Sequence, residues 1–371
     1  MTLKHITLEG YKSIKSLDLD LNSLNVLIGA NGAGKTNFIS IFKFLNQIIE
    51  GNLNLYVRRS GGADSFLYYG QKHTDRISIK LDFVSDESHL FNIYECKLVP
   101  TLDNSLIFEE ESTFFHDRIK FPATPYKSIF RSGHQETFLI AAAQEEKNRI
   151  ERHVLEPLKS WRVYHFHDTS DTAPMKRQGD LNDNLYLRPD AGNLAAYLYR
   201  LTKTHPHHYQ KIRDTIQLVA PFFDNFILRP MPENENKIQL EWREKGSDYP
   251  FLAYHLSDGT LRFICLTTLL LQPDIPSTIF IDEPELGLHP YAINALASLI
   301  KSTATRTQII ISTQSVPLVN QFNLEDLLVV NRKNQATVIE RLKPAEYESW
   351  LVDYSVGELW EKNVIGGRPS R

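Results

Sequence analysis

Eight consecutive residues, Gly29-Ala30-Asn31-Gly32-Ala33-Gly34-Lys35-Thr36, satisfy the pattern GxxxxGK[ST] in full, and no other feature narrows the fold as far. Ahead of them, Leu24-Asn25-Val26-Leu27-Ile28 is a short apolar run suited to a strand buried on both faces. Behind them, Asn37 to Leu45 carries apolar residues at helical spacing. Strand, glycine loop and helix in that order make a cradle for phosphate. Glycines let main-chain N–H groups curl around phosphate oxygens, and the helix N-terminus adds free donors and a favourable dipole. In such a cradle Lys35 neutralises the β/γ-phosphates and the Thr36 hydroxyl ligates Mg²⁺. An incidental glycine-rich turn is the plainer alternative, and it leaves the flanking strand and helix unexplained.

A second element completes the pocket. Thr278-Ile279-Phe280-Ile281 reads as a strand running into Asp282 and Glu283. Asp282 at the strand's end is placed to hold Mg²⁺ through water, and Glu283 is the candidate base for an attacking water. An acidic pair after a strand is common as a turn; beside the glycine loop it gains a use. Upstream, Leu256-Ser257-Asp258-Gly259-Thr260 precedes a long apolar helix. The Ser257 hydroxyl and Gly259 amide suit a phosphate at a helix start, although a plain N-cap by Ser257 or Asp258 is the simpler reading.

The remaining chain sets limits. With 371 residues there is length for two to three lobes. The formal charge of −4 excludes a uniformly basic protein, so nucleic acid would need a local patch. Two distant cysteines, Cys96 and Cys265, argue against a thiolate zinc site or a disulfide scaffold and for a reducing cytoplasm. The N-terminus lacks the apolar core of a signal peptide, and Phe263–Leu271 is too short to span a bilayer, so membrane insertion is excluded.

The expected class is α/β with a mainly parallel core sheet, an antiparallel β lobe and an inserted helical region. Residues 1–130 are read as the loop-bearing part with the β lobe, residues 131–225 as the helical insertion, and 226–371 as the part that returns to the core. Within these, Asn193 to Val219 reads as one helical stretch, Thr204–His208 as a solvated loop, and Lys237 to Trp242 as a strand. Strands TQIIIS, from Thr307, and Leu327–Val330 join the core.

These motifs together resemble the ATP-binding-cassette (ABC) class of P-loop ATPases. LSDGT stands where that class has its signature, and Glu285-Leu286-Gly287-Leu288-His289-Pro290 where it has the D-loop. LEGYKSIKSLDLDLNSLNVLIGANGAGKTNFI and IDEPELGLHP are similar to the RecF/SMC/OLD branch. Gly357-Glu358-Leu359-Trp360 with Gly366-Gly367-Arg368-Pro369 resembles short stand-alone bacterial ATPases called AAA15 or AAA_21-like. The resemblance implies ATP and Mg²⁺, with nucleotide contacts from Gly29, Asn31, Gly32, Ala33, Gly34, Lys35, Thr36, Asn37 and Lys12, the last weighed evenly against a solvated surface lysine. It also implies a head-to-tail dimer, or a higher oligomer, in which Ser257 and Gly259 act in trans. Lys35, Glu283 and Gln314 are the implied catalytic set, and Thr36, Asp282 and Gln71 the metal set. Gln71 is preferred to Gln144 as the glutamine that helps Mg²⁺ and water.

Thr313-Gln314-Ser315 departs from the resemblance, since many relatives carry Thr-His-Ser there. Gln314 can donate a hydrogen bond but cannot shuttle a proton, which points to slow hydrolysis. Arg58 or Arg59 as a phosphate finger is weighed against a surface arginine, the better reading. His165, His167 and Asp168 are read as a polar network rather than a metal site. Coiled-coil arms are missing, and the stretch after Gln314 is too short for a fused Toprim nuclease. A separately encoded effector or nuclease, or DNA, is the expected partner, in a phage-defence or mobile-element system. A RecF-like repair ATPase and a slow nucleotide-sensing module are the alternatives; a transporter engine is disfavoured.

Overall fold

The computed structural model describes residues 1–85, 87–145, 147 and 149–368. Two six-stranded sheets dominate. The first is antiparallel, with order β2-β1-β4-β5-β6-β7, built from β1 (Thr2–Tyr11), β2 (Ile14–Asp20), β4 (Ile77–Val84), β5 (Leu90–Pro100), β6 (Leu106–Asp117) and β7 (Tyr126–Ile129). The second is the core sheet, with order β18-β17-β3-β16-β15-β8. Its strands are β3 (Leu24–Ile28), β8 (Arg162–Tyr164), β15 (Thr278–Asp282), β16 (Gln308–Thr313), β17 (Leu327–Lys333) and β18 (Ala336–Arg341). All its pairings are parallel except β17 with β18. Two small sheets hold β9 (Gly179–Asp180), β10 (Phe223–Ile227), β11 (Pro230–Met231), β12 (Asn234–Ile238), β13 (Glu241–Glu244) and β14 (Phe251–Leu252).

The apolar runs of the core strands have a direct cause. Val26, Ile28, Ile279, Ile281, Ile309 and Ile311 enter one buried cluster. Their alternate neighbours Leu27, Phe280, Ile310 and Leu328 enter a second cluster on the opposite face. A sheet covered on both faces needs apolar residues at every position, which removes the polar alternation of a half-exposed strand. The second cluster is shared with the antiparallel sheet, α1 (Lys35–Ile49) and α4 (Arg149–Ser160). The first is covered by α5 (Leu194–Thr204), α6 (Pro206–Val219), α7 (Asp258–Leu271) and α8 (Pro290–Ala304). Short helices α2 (Leu53–Arg59), α3 (Leu139–Gln144), α9 (Val316–Val319), α10 (Glu348–Leu351) and α11 (Val356–Glu361) complete the chain.

Four local expectations are corrected. The helical stretch from Asn193 is two helices, because Pro206 cannot continue α5 but suits the first turn of α6. Thr204–His208 is therefore not a free loop: His208 lies in α6 and its Nδ1 is 2.8 Å from the Leu271 carbonyl. Lys237–Trp242 is two strands, with Gln239 and Leu240 outside both. The middle stretch, read as helical, also supplies β8, the edge strand beside β15.

Candidate nucleotide site

The glycine loop leaves the end of β3 and turns into α1, whose first residue is Lys35. The loop is tightly seated. A Cβ on Gly29 would lie 2.4 Å from the Val330 carbonyl oxygen, and one on Gly34 would lie 2.1 Å from Thr337 Oγ1. Thr337 donates to the Ala33 carbonyl (2.8 Å) and shares a hydrogen bond with Ser13 Oγ (2.8 Å), which in turn accepts from Asn37 Nδ2 (2.7 Å). The hairpin β17–β18 and the β1–β2 turn thus fix the loop from behind. Lys35 is buried and donates from Nζ to the Gly29 (2.6 Å) and Ala30 (3.1 Å) carbonyls. Burial lowers its pKa, opposed by Glu283, Asp282 and Glu285.

Three carboxylates face this lysine, and consecutive residues at the end of β16 hold one each. The register pairs Asp282 with Ser312. Ser312 Oγ donates to Asp282 Oδ1, Thr313 Oγ1 donates to Glu285 Oε1 (2.5 Å), and Gln314 Nε2 donates to Glu283 Oε1. Glu283 sits at φ 45°, a left-handed conformation, with its amide on the Ser312 carbonyl (2.9 Å). Burial pushes the Glu285 carboxyl above the usual carboxylate range, and its buried Oε2 has no hydrogen-bond partner among the described residues. Gln314 therefore engages the candidate base itself.

The donor set suits Mg²⁺. A bound Mg²⁺ would take hard oxygen ligands from Asp282 and the exposed Thr36; no group of three or more His, Cys, Asp or Glu side chains that could hold a metal occurs among the described residues. Mg²⁺ is commonly bound in that way, by one or two carboxylates plus substrate phosphates. On the outer side of the loop, a cleft of about 570 Å³ runs between Ala30–Ala33, the β17–β18 hairpin and Gly366–Arg368. A second, of about 430 Å³, is lined by Lys12, Ser13, Asn37, Ser65, Tyr69 and Arg332. Lys12 lies at φ 47°, donates to Ser40 Oγ (3.0 Å) and has its pKa lowered by burial and then by Lys43.

Ser257 is the N-cap of α7, accepting from the Thr260 amide at 3.2 Å. The simpler reading of LSDGT is thus realised within the chain. Gly259 has a further constraint, since a Cβ there would lie 2.3 Å from the Gly287 carbonyl oxygen. The first turn of α7 is packed on the loop after β15.

Other expected residues lie elsewhere. Gln71 donates from Nε2 to Asn104 Oδ1 (3.0 Å) and from its amide to Asp64 Oδ1 (2.8 Å). No hydrogen bond joins it to Thr36, Asp282 or Glu283 among the described residues. Gln144 is exposed at the end of α3. Arg58 pairs with Asp103 (3.4 Å) and Arg59 is exposed. The histidine pair reaches the site instead: β8 runs parallel to β15, and His167 Nε2 lies 2.8 Å from the Asp282 carbonyl oxygen. Burial lowers the His165 pKa against the opposing charge of Asp282. Sequence reasoning also passed over Thr337 and Asn331, whose Oδ1 accepts from the Gly367 amide (2.8 Å) and brings the C-terminal glycines beside Gly29. Those glycines were the available signal.

The fold and this arrangement define a P-loop ATPase head of the ABC type, its glycine loop and acidic strand end on one doubly covered parallel sheet. The chain belongs to the AAA_21 family, described as "AAA domain, putative AbiEii toxin, Type IV TA system", which matches residues 24–320. Among solved structures it is similar to an Smc head bound to the C-terminal winged-helix domain of ScpA, at 13% identity and TM-score 0.62, covering 94% of this chain and 100% of that one. It is also similar to the Pyrococcus furiosus Smc head with an extended coiled coil bound to the C-terminal domain of ScpA, at 12% identity and TM-score 0.59, covering 95% and 99%. The Thermotoga maritima SMC head matches at 14% identity and TM-score 0.50, covering 92% and 100%. At these identities the likeness is one of fold. No curated protein matches the chain. No helix among the described residues is long and apolar enough to cross a membrane.

Proposed function

We propose that this chain binds Mg²⁺–ATP and hydrolyses it slowly, and that two copies close head-to-tail around the nucleotide. The closure is passed to DNA or to a separately encoded protein effector, and the protein works in the cytoplasm. The observation that carries this reading is the convergence of Lys35, Asp282, Glu283 and Glu285 at one end of the core sheet. The loop amides and Lys35 bind phosphate, Thr36 and Asp282 hold the metal, and Glu283 orients or deprotonates the attacking water. Mg²⁺, when bound, neutralises phosphate charge. Ser257 and Gly259 serve the partner's nucleotide. The family description, with its toxin–antitoxin setting, supports a role in defence or mobile-element biology.

The test uses two variants. Lys35→Ala is expected to abolish ATP binding in calorimetry. Glu283→Gln is expected to bind ATP, turn it over slowly and accumulate dimers by light scattering with Mg²⁺–ATP. Wild-type turnover by Glu283→Gln removes it as the base. Absence of heat on titrating the folded wild-type protein with adenine nucleotides overturns the whole reading.

One observation favours a second reading, a nucleotide sensor whose hydrolysis is incidental: the Gln314 amide occupies a Glu283 oxygen. Single-turnover kinetics with and without DNA separate the two. Strong stimulation by DNA counts against the sensor.

A further inference from the structure

The side chain of Arg262, in the second turn of α7, is a junction that the nucleotide reading does not use. It is half-buried, and its guanidinium donates in three directions. Nε reaches the Phe166 carbonyl (3.0 Å), and Nη2 reaches the His167 carbonyl (2.8 Å) and Thr169 Oγ1 (3.3 Å). Nη1 reaches the Leu286 carbonyl (2.7 Å). A planar fork of fixed donors holds several acceptors in one relative geometry, which a single ammonium cannot do. Charge-assisted bonds of this kind are also about twice as strong as neutral ones.

The segment that Arg262 grips is tied at its other side to the metal-holding strand. His167 Nε2 faces the Asp282 carbonyl oxygen, an acceptor, so this nitrogen donates and the tautomer is set. Two glycines let the remaining parts close. A Cβ on Gly287 would lie 2.6 Å from Arg262 Nη1, and one on Gly259 would lie 2.3 Å from the Gly287 carbonyl oxygen. The end of β15, the His165–Thr169 segment, the loop at Leu286–Gly287 and the first turns of α7 therefore form one hydrogen-bonded and sterically closed circuit.

We propose that His167 and Arg262 are positioning residues of a link through which the Asp282 end of β15 sets the placement of the Ser257–Gly259 end of α7 in the same subunit. Nucleotide held at one half-site then controls the readiness of the other half-site to receive a partner's nucleotide. This rests on the nucleotide reading above and adds the element that carries the signal. Coupling between sites is carried by packed side chains and hydrogen-bond networks whose arrangement both ends bias, and this circuit supplies a contiguous one.

The test is amide hydrogen exchange on the full chain with a non-hydrolysable ATP analogue and Mg²⁺, at dilutions where light scattering finds single chains. In the wild type, nucleotide is expected to slow exchange at residues 29–37 and also at 257–261 and 286–288. Arg262→Ala is expected to keep the first response and to lose about tenfold or more of the second, within the usual range of coupling between sites. His167→Phe keeps a ring but loses the bond to Asp282, and is expected to lose the same remote response. If Arg262→Ala does not fold, judged by circular dichroism, Arg262→Lys and His167→Phe carry the test. Undiminished remote protection in the folded variants overturns the link. Protection confined to residues 29–37 in the wild type also overturns it, while leaving nucleotide binding intact. No protection anywhere in the wild type removes the nucleotide reading and the link together.

Discussion

Alanine at position 34 is expected to cost both stability and nucleotide affinity, by an amount that the local geometry bounds. Gly34 sits at φ 116° and ψ 11° immediately before α1, a conformation L side chains rarely adopt. An added Cβ would lie 2.1, 2.7 and 2.9 Å from Oγ1, Cγ2 and Cβ of Thr337. Thr337 is 1% exposed and tied to Ala33 and Ser13, so it has no free direction of retreat. Backbone strain of about 1–3 kcal/mol adds to two displaced hydrogen bonds at about 0.5–1.5 kcal/mol each. The expected loss is therefore about 2–6 kcal/mol. Because Ser13 also holds Asn37, the damage falls on the loop's shape, and ATP affinity should drop with stability. Urea denaturation with and without Mg²⁺–ATP reads both. Thr337→Ala removes the two closer clashes but not the strain, so the double variant should be more stable than the sum of the singles by about 1 kcal/mol. A Gly34→Ala protein within about 0.5 kcal/mol of wild type, the range of neutral surface changes, or strict additivity of the pair, refutes the reasoning.

Restoring a histidine in Gln314→His should raise steady-state phosphate release severalfold, because an imidazole can carry a proton where an amide cannot; an unchanged rate counts against Gln314 as the cause of slow turnover. Burial raises the Glu285 carboxyl above its ordinary value of 4.5. The native state therefore keeps a proton that the unfolded chain releases, and stability falls as pH rises from about 4.5 through the raised value. Glu285→Gln should flatten that fall in denaturation curves measured across the window; an unaltered slope assigns it to another group. Gly367→Val should weaken ATP binding severalfold in calorimetry, since Gly367 lies at φ 85° and a Cβ there would meet Trp360 Nε1 at 3.0 Å beside Gly29. Equal affinity means the C-terminal glycines do not shape the loop.

The parts of the site that lie within one short window were legible in the chain. Gly29–Thr36 between a strand and a helix, and Asp282–Glu283 at a strand end, declare themselves because each is a local backbone device. What was not legible depends on register between distant strands. Ser312, Thr313 and Gln314 hold three carboxylates in turn because β16 lies parallel to β15 with Ser312 beside Asp282, and no spacing within either strand announces that pairing. His167 reaches Asp282 across 115 positions through β8, which at three residues is too short for a periodic signal. Gln71, in Tyr69-Gly70-Gln71, carried no spacing signal that tied it to the acidic strand end, and its side-chain amide is hydrogen-bonded to Asn104. The polar run Thr202–His208 around Pro206 did mark a break in the helical stretch, but it was read as a solvated loop, whereas Pro206 sits in the first turn of α6 directly after α5.

The placement of β3 between β16 and β17 has a consequence during synthesis. Ala33 meets Thr337, 304 positions later in the chain. At about 5–20 residues per second, translation needs roughly 15–60 s to cover that interval. For most of that time, until β16 is made, Leu24–Ile28 is an unpaired apolar strand on the nascent chain with neither neighbour available, a hazard for aggregation. Ribosomes stalled before β16 would thus release polypeptide unable to assemble the pocket, so that competence arrives only once β16 and β17 have been made.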